Sequence, residues 1–257
     1  MTIPIPRWRR AGRAILHVSA FVILTLLTQV GGLAWLAALA VRPRIVSFAG
    51  AYLALWLITP FAAAAFGRVP MPCSDEAGLR TKAIYCALNR HYVTPDLRHA
   101  AIQAAQTVAE TFPGTHTIAL DAGFPFLDGM PLLPHLSHDD GRKLDLAFYY
   151  TDPASQYLPG QTRSPLGYWA FETGPSTCTR QFPTLRWNMD LLQPLWPDRP
   201  LEGARTTALV QALIADPRIG KILIEPHLET RLGLGHSKLR FQGCRAARHD
   251  DHIHIQL

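Results

Sequence analysis

Two histidines near the C-terminal end of the chain, His252 and His254, are separated by a single residue. Side chains of an extended strand alternate between its two faces, so these histidines share one face while Ile253 and Ile255 enter the core on the other. Imidazole nitrogens and carboxylate oxygens are the usual ligands of a catalytic zinc ion, which takes three protein ligands and keeps a fourth position for water. The pattern therefore predicts part of the ligand set of a zinc site.

A second stretch with suitable chemistry lies in the middle of the chain, where Asp145 follows His138 in the run His-Asp-Asp-Gly-Arg-Lys-Leu-Asp. Together with one of the C-terminal histidines, these two residues would complete a set of three ligands for Zn²⁺. Each pattern alone is weak, since a histidine pair on a strand is more often an exposed or hydrogen-bonded surface feature. The combination is much less easily met by chance.

The two motifs together resemble those of a known family. The run Ser-His-x-x-Gly-x-x-x-Asp at residues 137–145, followed by His-x-His at residues 252–254, is similar to the LAS metallopeptidases. That group includes lysostaphin-type enzymes, D-alanyl-D-alanine peptidases and the hedgehog signalling domain. The run His-Asp-x-His-x-His at residues 249–254 looks most like that of the penicillin-insensitive murein endopeptidases. The resemblance covers roughly residues 115–257.

The resemblance implies a role for each matching residue. His138 and Asp145 match the first two zinc ligands of the family, and His254 matches the third. His252 would then stand beside the ion as the first choice for the general base, which accepts the proton of the attacking water. His249 matches a further histidine of the murein endopeptidase pattern and is a second candidate.

Asp251 leaves the identity of the base open. Some LAS carboxypeptidases carry a catalytic Glu three residues before the last ligand, and Asp251 has that offset from His254. Strand alternation would turn Asp251 away from the ligands unless the strand begins only at His252. His135 is close enough to the first motif to orient a ligand. Three more aspartates would either orient imidazole N–H groups or form a solvated acidic loop: Asp139, Asp140 and Asp250.

The elements that must position these residues are strands and helices of an α+β fold. Hydrophobic patterning predicts strands at residues 117–122, 143–150 and 221–224 and at the C-terminal histidine run. In the second of these strands, Asp145 lies on the opposite face to its leucine neighbours. We expect a small, mainly antiparallel sheet with flanking helices, as in LAS peptidases.

Helix signals surround these strands. One helix is predicted to begin at the N-cap Ser74, and another at Pro95, running towards Phe112. Four further stretches have helical spacing: 184–195, 201–215, 226–232 and 237–247. Residues 151–182 are rich in Pro, Gly, Ser and Thr and predict a long loop, whose Tyr168 and Trp169 either line a substrate groove or pack a surface flap.

The N-terminal quarter of the chain has a different composition. Residues 14–40 and 45–66 contain no charged side chain, and both stretches exceed the length of about 20 residues that crosses a bilayer core. They predict two transmembrane helices in a membrane anchor at residues 1–68, followed by a zinc peptidase-like domain at residues 69–257. A cleaved signal peptide is the competing interpretation, although its apolar core is typically only about 7 to 15 residues long.

The charge of the chain is concentrated in this anchor. Of the net charge of +6, seven Arg and no acidic residue lie in residues 1–68, which leaves 18 Lys+Arg against 19 Asp+Glu elsewhere. The near-neutral domain argues against nucleic acid as a partner. The basic excess instead suits the flanks of membrane helices, so a lipid bilayer is the expected partner of the anchor.

The distribution of arginines gives conflicting signals on orientation. The four arginines of residues 7–13 place the N-terminus in the cytoplasm, and two spans would return the domain to that side. Arg42 and Arg44 between the spans favour the opposite orientation, and a third possibility is that only one segment spans. A cell-wall enzyme works outside, so we expect the domain on the periplasmic or external side of the bacterial inner membrane.

Four cysteines follow the second apolar stretch: Cys73, Cys86, Cys178 and Cys244. In an oxidising compartment they would form two disulfides, with three possible connectivities. Four buried, unpaired thiols are an equally good interpretation. Their spacing, which includes no Cys-x-x-Cys pair, does not suggest a zinc site.

The family resemblance implies a membrane-anchored zinc peptidase that hydrolyses peptide bonds of peptidoglycan stem peptides, as an endopeptidase that cuts cross-links. A D-amino-acid carboxypeptidase of the same group is the nearest alternative. Two alternative functions belong to other classes. One is a non-catalytic, hedgehog-like binding module that contains zinc, and the other is a membrane scaffold with the domain as a partner-binding cap. An open coordination position beside an intact base distinguishes an enzyme from a structural zinc site.

Overall fold

The computed structural model describes residues 6–179 and 182–257, which form seven α-helices and two β-sheets. Residues 1–5 of the predicted anchor and residues 180–181 of the predicted loop lie outside the described part of the chain. The mixed α+β class is confirmed, whereas the likeness to the LAS fold and the domain boundaries stay predictions.

The N-terminal region contains three helices: α1 (Arg7–Thr28), α2 (Gly31–Ala40) and α3 (Arg44–Ala63). Two helical stretches are long and apolar enough to cross a membrane, Trp8–Thr28 and Arg44–Phe66. The second agrees with the prediction. The prediction of one continuous helix over residues 14–40 is wrong, because the chain turns at Gln29, whose φ of 64° ends α1.

The helices α1 and α2 form a close antiparallel hairpin. A Cβ added to Gly32 would lie 2.0 Å from the hydroxyl of Thr25, so glycine is required where α2 begins to run back along α1. Further from the turn, the ring of His17 lies 5.7 Å from that of Trp35. With 10 residues, α2 extends about 15 Å, roughly half of the hydrocarbon core of a bilayer.

The remainder of the chain contains eight short strands: β1 (Val69–Pro70), β2 (Leu79–Thr81), β3 (Tyr92–Val93), β4 (Thr117–Ala119), β5 (Lys143–Ala147), β6 (Lys221–Leu223), β7 (Leu239–Arg240) and β8 (His252–Gln256). Strands β1 and β3 form a separate pair, and the other six form one sheet in the order β2-β4-β5-β8-β6-β7. The central pairings are antiparallel, and only the edge strands β2 and β7 pair in parallel. The predicted central strands therefore form, although each is shorter than predicted.

Four helices accompany these strands: α4 (Ala83–Ala87), α5 (Pro95–Thr111), α6 (Gly203–Ala215) and α7 (Pro226–Arg231). Helix α5 begins at Pro95 as predicted, because proline loses no helical hydrogen bond at the first position. Side chains of α5 and α6 form one core with the apolar face of β5 and β8, which includes Leu144, Leu146, Ile253 and Ile255. These helices therefore cover one face of the six-stranded sheet.

The opposite face of the sheet carries the polar residues of the two motifs. Because side chains alternate along β5 and β8, Asp145, His252 and His254 all lie on this second face. Tyr85 of α4 and Tyr168 of the long loop pack here in a smaller apolar cluster. The site is thus placed between the sheet, α4 and the loop.

Two predicted helices are absent from the described residues, and the helix predicted from Ser74 is reduced to α4, which begins only at Ala83. The segment after Ser74 turns tightly instead, with positive φ at Ala77 and Gly78, and leads into β2. Residues 184–195 contain only a 3-10 turn at Gln193–Leu195, since Met189 also takes a positive φ of 50°. Residues 237–247 form β7 and a loop that turns at Gly243 with φ 98°.

The four cysteines form two disulfides, Cys73–Cys86 and Cys178–Cys244. The interpretation as unpaired thiols is therefore wrong. The first disulfide ties the segment before β2 to α4, and the second ties the long loop to the segment that precedes β8. Both disulfides thus restrain segments next to the second face of the sheet.

Candidate metal centre

The structure brings the three predicted metal ligands together. Asp145 and His254 are directly opposite each other in the β5–β8 register, and His138 reaches them from the loop before β5. The Nε2 atom of His138 lies 3.1 Å from Nδ1 of His254 and 3.3 Å from Oδ1 of Asp145. His254 Nδ1 lies 2.9 Å from the same carboxylate oxygen. All three residues are buried.

These distances fit the ligand shell of a tetrahedral metal ion. Two ligand atoms that are each about 2.0 Å from such an ion are roughly 3.3 Å apart. The Nδ1 atom of His138 lies 2.7 Å from the carbonyl oxygen of Ala122, which can only accept a hydrogen bond. His138 therefore holds a proton on Nδ1 and directs Nε2 to the other two residues. Burial lowers the pKa of His138, but the charge of Asp145 and its hydrogen bond raise the pKa above the ordinary value, so metal binding would displace the proton on Nε2.

Asp145 is held as a charged ligand by its surroundings. Burial alone would raise the pKa of this carboxyl, but the neighbouring His138 and His252 and the hydrogen bonds to the group hold the pKa well below its ordinary value. Burial lowers the pKa of His254 to about 4, so its imidazole is neutral at physiological pH. An ionised carboxylate and neutral imidazoles are the protonation states that metal binding needs.

His252 lies beside this group and is oriented by Asp251. Strand β8 begins at His252, so the carboxylate of Asp251 is free of strand alternation and reaches Nδ1 of His252 at 2.5 Å. The other oxygen of Asp251 accepts a hydrogen bond from the backbone N–H of Trp169. The Nε2 atom of His252 then faces the ligands, 3.6 Å from Oδ1 of Asp145. Burial alone would lower the pKa of His252. The charges of Asp145 and Asp251 outweigh this effect and raise the pKa to about 9.

His249 completes a cluster of imidazoles around the site. Its ring centre lies 5.0 Å from that of His252 and 5.6 Å from that of His254. Burial, followed by the charge of these two neighbours, keeps the pKa of His249 well below its ordinary value. Its Nδ1 is buried without a hydrogen-bond partner among the described residues, so His249 is placed next to the ligands with an unused nitrogen.

The three remaining aspartates do not orient the ligand imidazoles. Asp140 accepts a hydrogen bond from Lys143 at 2.7 Å, and Asp139 lies 3.7 Å from the same ammonium group. Asp250 is buried and paired with Arg248, whose Nε donates to it at 2.9 Å. The acidic-loop interpretation therefore describes Asp139 and Asp140, and Asp250 belongs to an internal ion pair.

Two residues, Asp121 and Tyr168, contact the candidate ligands or their neighbours in ways that the sequence did not predict. The hydroxyl of Tyr168 donates to Oδ2 of Asp145 at 2.8 Å and accepts from the backbone N–H of Asp121 at 3.0 Å. The Asp121 carboxylate binds His135 Nδ1 at 2.9 Å and is paired with the buried Arg90. This network supports the three candidate ligands, His138, Asp145 and His254, from outside. These three residues are called the metal group below. Asp121 carried only one signal, its place at the end of the predicted strand at residues 117–122.

A small cleft, with a cavity of about 70 Å³, lies beside His252. The aromatic side chains that line it come mainly from the long loops, and its lining includes His135, Trp169, Phe171, Trp187, Asp251 and His252. The proposed groove role of Trp169 agrees with this position. Tyr168 also lines the cleft, but its buried hydroxyl contacts the metal group, so neither predicted role describes it fully.

A second cluster of potential ligands consists of Cys73, Cys86 and His91. Both sulfurs are joined in a disulfide, so neither is the thiolate that metal binding requires. His91 is buried, which lowers its pKa to about 4. In this state the cluster is structural.

The sequence matches no protein-family model and no curated protein. The resemblance to LAS metallopeptidases therefore depends on the two motifs. The placement of their residues on one face of the sheet is independent of that resemblance.

Proposed function

We propose that this chain is a membrane-anchored, zinc-dependent peptidase of the LAS type that hydrolyses a peptide bond in peptidoglycan stem peptides, as a cross-link-cleaving endopeptidase. One observation carries the proposal. A set of two imidazoles and one carboxylate, with ligand atoms within 4.8 Å of one another, lies next to the His252–Asp251 pair at the wall of an aromatic cleft. Three ligands beside an oriented acid–base residue are typical of a catalytic zinc site rather than a structural one.

The residues fit distinct roles in such a reaction. His138, Asp145 and His254 would hold the ion, which polarises the scissile carbonyl and lowers the pKa of its bound water to about 7. His252 takes a proton at Nε2 during attack and returns it to the leaving amine. Asp251 holds the ring in the orientation that directs Nε2 to the ligands and stabilises its cationic form.

The charge state of His252 depends on the ion. Its pKa of about 9 reflects the uncompensated charges of Asp145 and Asp251. A divalent cation at the ligands would oppose a second positive charge and lower this pKa towards neutrality. Asp251 is less suited to be the base, because both of its oxygens already accept hydrogen bonds, and His249 remains a second candidate.

The helix arrangement supports an external domain. Because α2 runs back along α1 and then packs against α3, where the ring of Trp35 lies 6.0 Å from that of Phe48, α1 and α3 run in the same direction. Their C-terminal ends meet at Phe126, whose N–H donates to the side chain of Gln29 at 2.9 Å and whose ring lies 5.2 Å from that of Phe66. The arginines of residues 7–13 and Arg42 and Arg44 therefore all lie towards the opposite end of the bundle.

This arrangement removes the conflict in the charge pattern. By the positive-inside rule all these arginines would lie on the cytoplasmic side, which supports the proposal that the domain faces the periplasmic or external side of a bacterial inner membrane. The hydrogen bond of Gln29 to the domain supports a retained anchor over a cleaved signal peptide. Two disulfides also suit an oxidising compartment.

The test is hydrolysis of purified peptidoglycan by the zinc-loaded full chain in detergent, with the released muropeptides separated by mass. We expect conversion of cross-linked dimers to monomers, and loss of this activity in a His138→Ala variant and after chelation. His99→Ala is the matched control, since His99 is exposed on α5. Loss of one terminal alanine would assign the carboxypeptidase activity instead, and an unchanged digest would contradict the peptidase proposal.

A further inference from the structure

The metal group and the membrane anchor lie on the same face of the six-stranded sheet. Tyr85 of α4 packs edge-on against Tyr168 with ring centres 6.1 Å apart, and Tyr168 in turn donates to Asp145. Helices α5 and α6 cover the opposite face. The short helix α4 therefore stands between the candidate site and whatever packs on its outer side.

That outer side is occupied by α3. The Nε1–H group of Trp56 donates to the carbonyl oxygen of Cys86 at 2.8 Å, and the hydroxyl of Tyr52 donates to the carbonyl oxygen of Ala87 at 2.6 Å. The C-terminal half of α3 therefore runs alongside the domain. A chain of contacts thus leads from α3 through α4 and Tyr168 to Asp145.

The other side of α3 remains apolar and exposed along the same stretch. Leu53 and Leu57 are exposed there, and Phe61 is 82% exposed. Lipid is the environment that suits such a helix face. Because Tyr52 and Trp56 lie within the candidate span Arg44–Phe66, the α4 side of the domain lies against the bilayer.

Two exposed apolar loops continue this surface around the cleft. The first, residues 126–136, is tied to the anchor through Phe126 and an ion pair of Asp128 with Arg68. It exposes Leu127, Leu133 and Leu136. Its last residues lead to His135 in the cleft lining.

The second loop, residues 182–195, forms the other rim of the cleft through Leu185 and Trp187. Phe182 is 97% exposed and Leu191 is 92% exposed. Leu195 lines the same surface pocket as Lys82, the residue that precedes α4, so this rim also extends towards the membrane-proximal side. Single exposed apolar residues are ordinary, but a contiguous set around a cleft marks an interaction surface.

We infer that the cleft side of the sheet rests on the bilayer surface and that the site takes a peptide attached to a membrane lipid. This inference rests on the proposed peptidase function for its substrate and on the anchor geometry for its location. The two loops dip their apolar side chains into the interface, and the cleft between them receives a peptide confined to the same surface. Confinement raises the effective concentration of the substrate at the cleft.

Bilayer contact is measured without any activity. All four native cysteines are in disulfides, so one introduced cysteine carries one environment-sensitive fluorophore. In lipid nanodiscs, labels at Leu133→Cys and Leu191→Cys should shift to the blue and be quenched by nitroxide lipids. Gln211→Cys on the exposed side of α6 is the control, and its label should show the emission of an aqueous environment and no quenching. If the labels at both loops show the same emission and the same lack of quenching as the control, the inference is overturned.

The substrate class is measured with one cross-linked stem peptide in two forms, free and carrying two acyl chains. In nanodiscs the wild-type protein should cleave the acylated form with a kcat/KM higher by roughly tenfold or more, given the gain in effective concentration. The variant Leu133→Asp/Leu191→Asp should lose most of this preference while it cleaves the free peptide at the wild-type rate.

The outcomes separate the two proposals. Equal cleavage of both peptides by the wild-type protein would overturn the lipid-linked substrate while the peptidase function stands. Cleavage of neither peptide would overturn the peptidase function and the substrate class together, and the fluorophore measurement would still decide the bilayer contact.

Discussion

Tyr168 shows how a single hydroxyl supports a set of candidate metal ligands without belonging to the set. It donates to Oδ2 of Asp145, which leaves Oδ1 facing His138 and His254. Loss of such a supporting hydrogen bond usually lowers metal affinity about 10- to 100-fold. We expect a Tyr168→Phe variant to lose zinc affinity in this range, as measured by competition with a chelator.

The control for this variant is Tyr149→Phe. Tyr149 is also buried and loses a hydrogen bond, here with Thr117, but it lies on the helix-covered side of the sheet. Equal losses of zinc affinity in both variants would mean that Tyr168 acts through general stability and not through Asp145.

His91 should make stability depend on pH. Burial lowers its pKa to about 4, although a hydrogen bond with the backbone of Tyr85 opposes this shift. In the unfolded chain the pKa is about 6.5, so between these values the unfolded state binds the extra proton and stability falls as the pH falls. The loss would be on the order of 3 kcal/mol at pH 4 and absent above pH 7.

The measurement compares thermal unfolding of the detergent-solubilised wild type and His91→Phe between pH 4 and 7. The variant should lose part of the pH dependence, because phenylalanine takes up no proton. His99→Phe on the exposed side of α5 should retain it. Parallel pH profiles for wild type and His91→Phe would rule out His91 as the linked group.

Sequence reasoning found the ligands because they depend on local alternation. His252 and His254 share a face in any strand, and Asp145 opposes its leucine neighbours in the same way. Asp121 and Tyr168 could not be found in this manner. Their contacts with each other and with Asp145 join a strand end to a distant loop, and nothing in the local pattern specifies such a pair.

At the scale of elements, local signals were reliable where proline sets the first helical turn. Helices α5 and α7 begin at Pro95 and Pro226, close to their predicted starts. Helical spacing alone misled at residues 184–195 and 237–247. In both stretches a residue with positive φ and a nearby disulfide, Cys178–Cys244, fix the chain in another path. Tertiary and covalent constraints here outweigh propensity.

The two disulfides should differ in their contribution to stability. Cys73–Cys86 closes a separation of 13 residues and Cys178–Cys244 one of 66. Chain-entropy arguments give losses of about 3 and about 4 kcal/mol, respectively, when each is removed. Urea unfolding of the two double Cys→Ala variants should rank them in that order, and the reverse ranking would show that strain or residual structure dominates.

At the scale of the whole molecule, one break in a helix changes the side of the membrane on which we expect the domain to lie. An unbroken span over residues 14–40 would give two passes and return the domain to the cytoplasm. The turn at Gln29, followed by Gly31 and Gly32, reverses the chain, so that α1 and α3 run in the same direction although α2 is too short to cross a bilayer. Composition predicted the apolar stretch, but not the turn within it.

The orientation is tested with an impermeant maleimide on single cysteines in the full chain, expressed in bacterial cells. We expect Gln211→Cys in the domain to be labelled in spheroplasts with an intact inner membrane. Pro6→Cys, exposed at the start of α1, should be labelled only after permeabilisation, because the neighbouring arginines hold it in the cytoplasm. Protection of both positions would place the domain inside the cell, where no cell wall is within reach, and labelling of both would show an even number of crossings with each end outside.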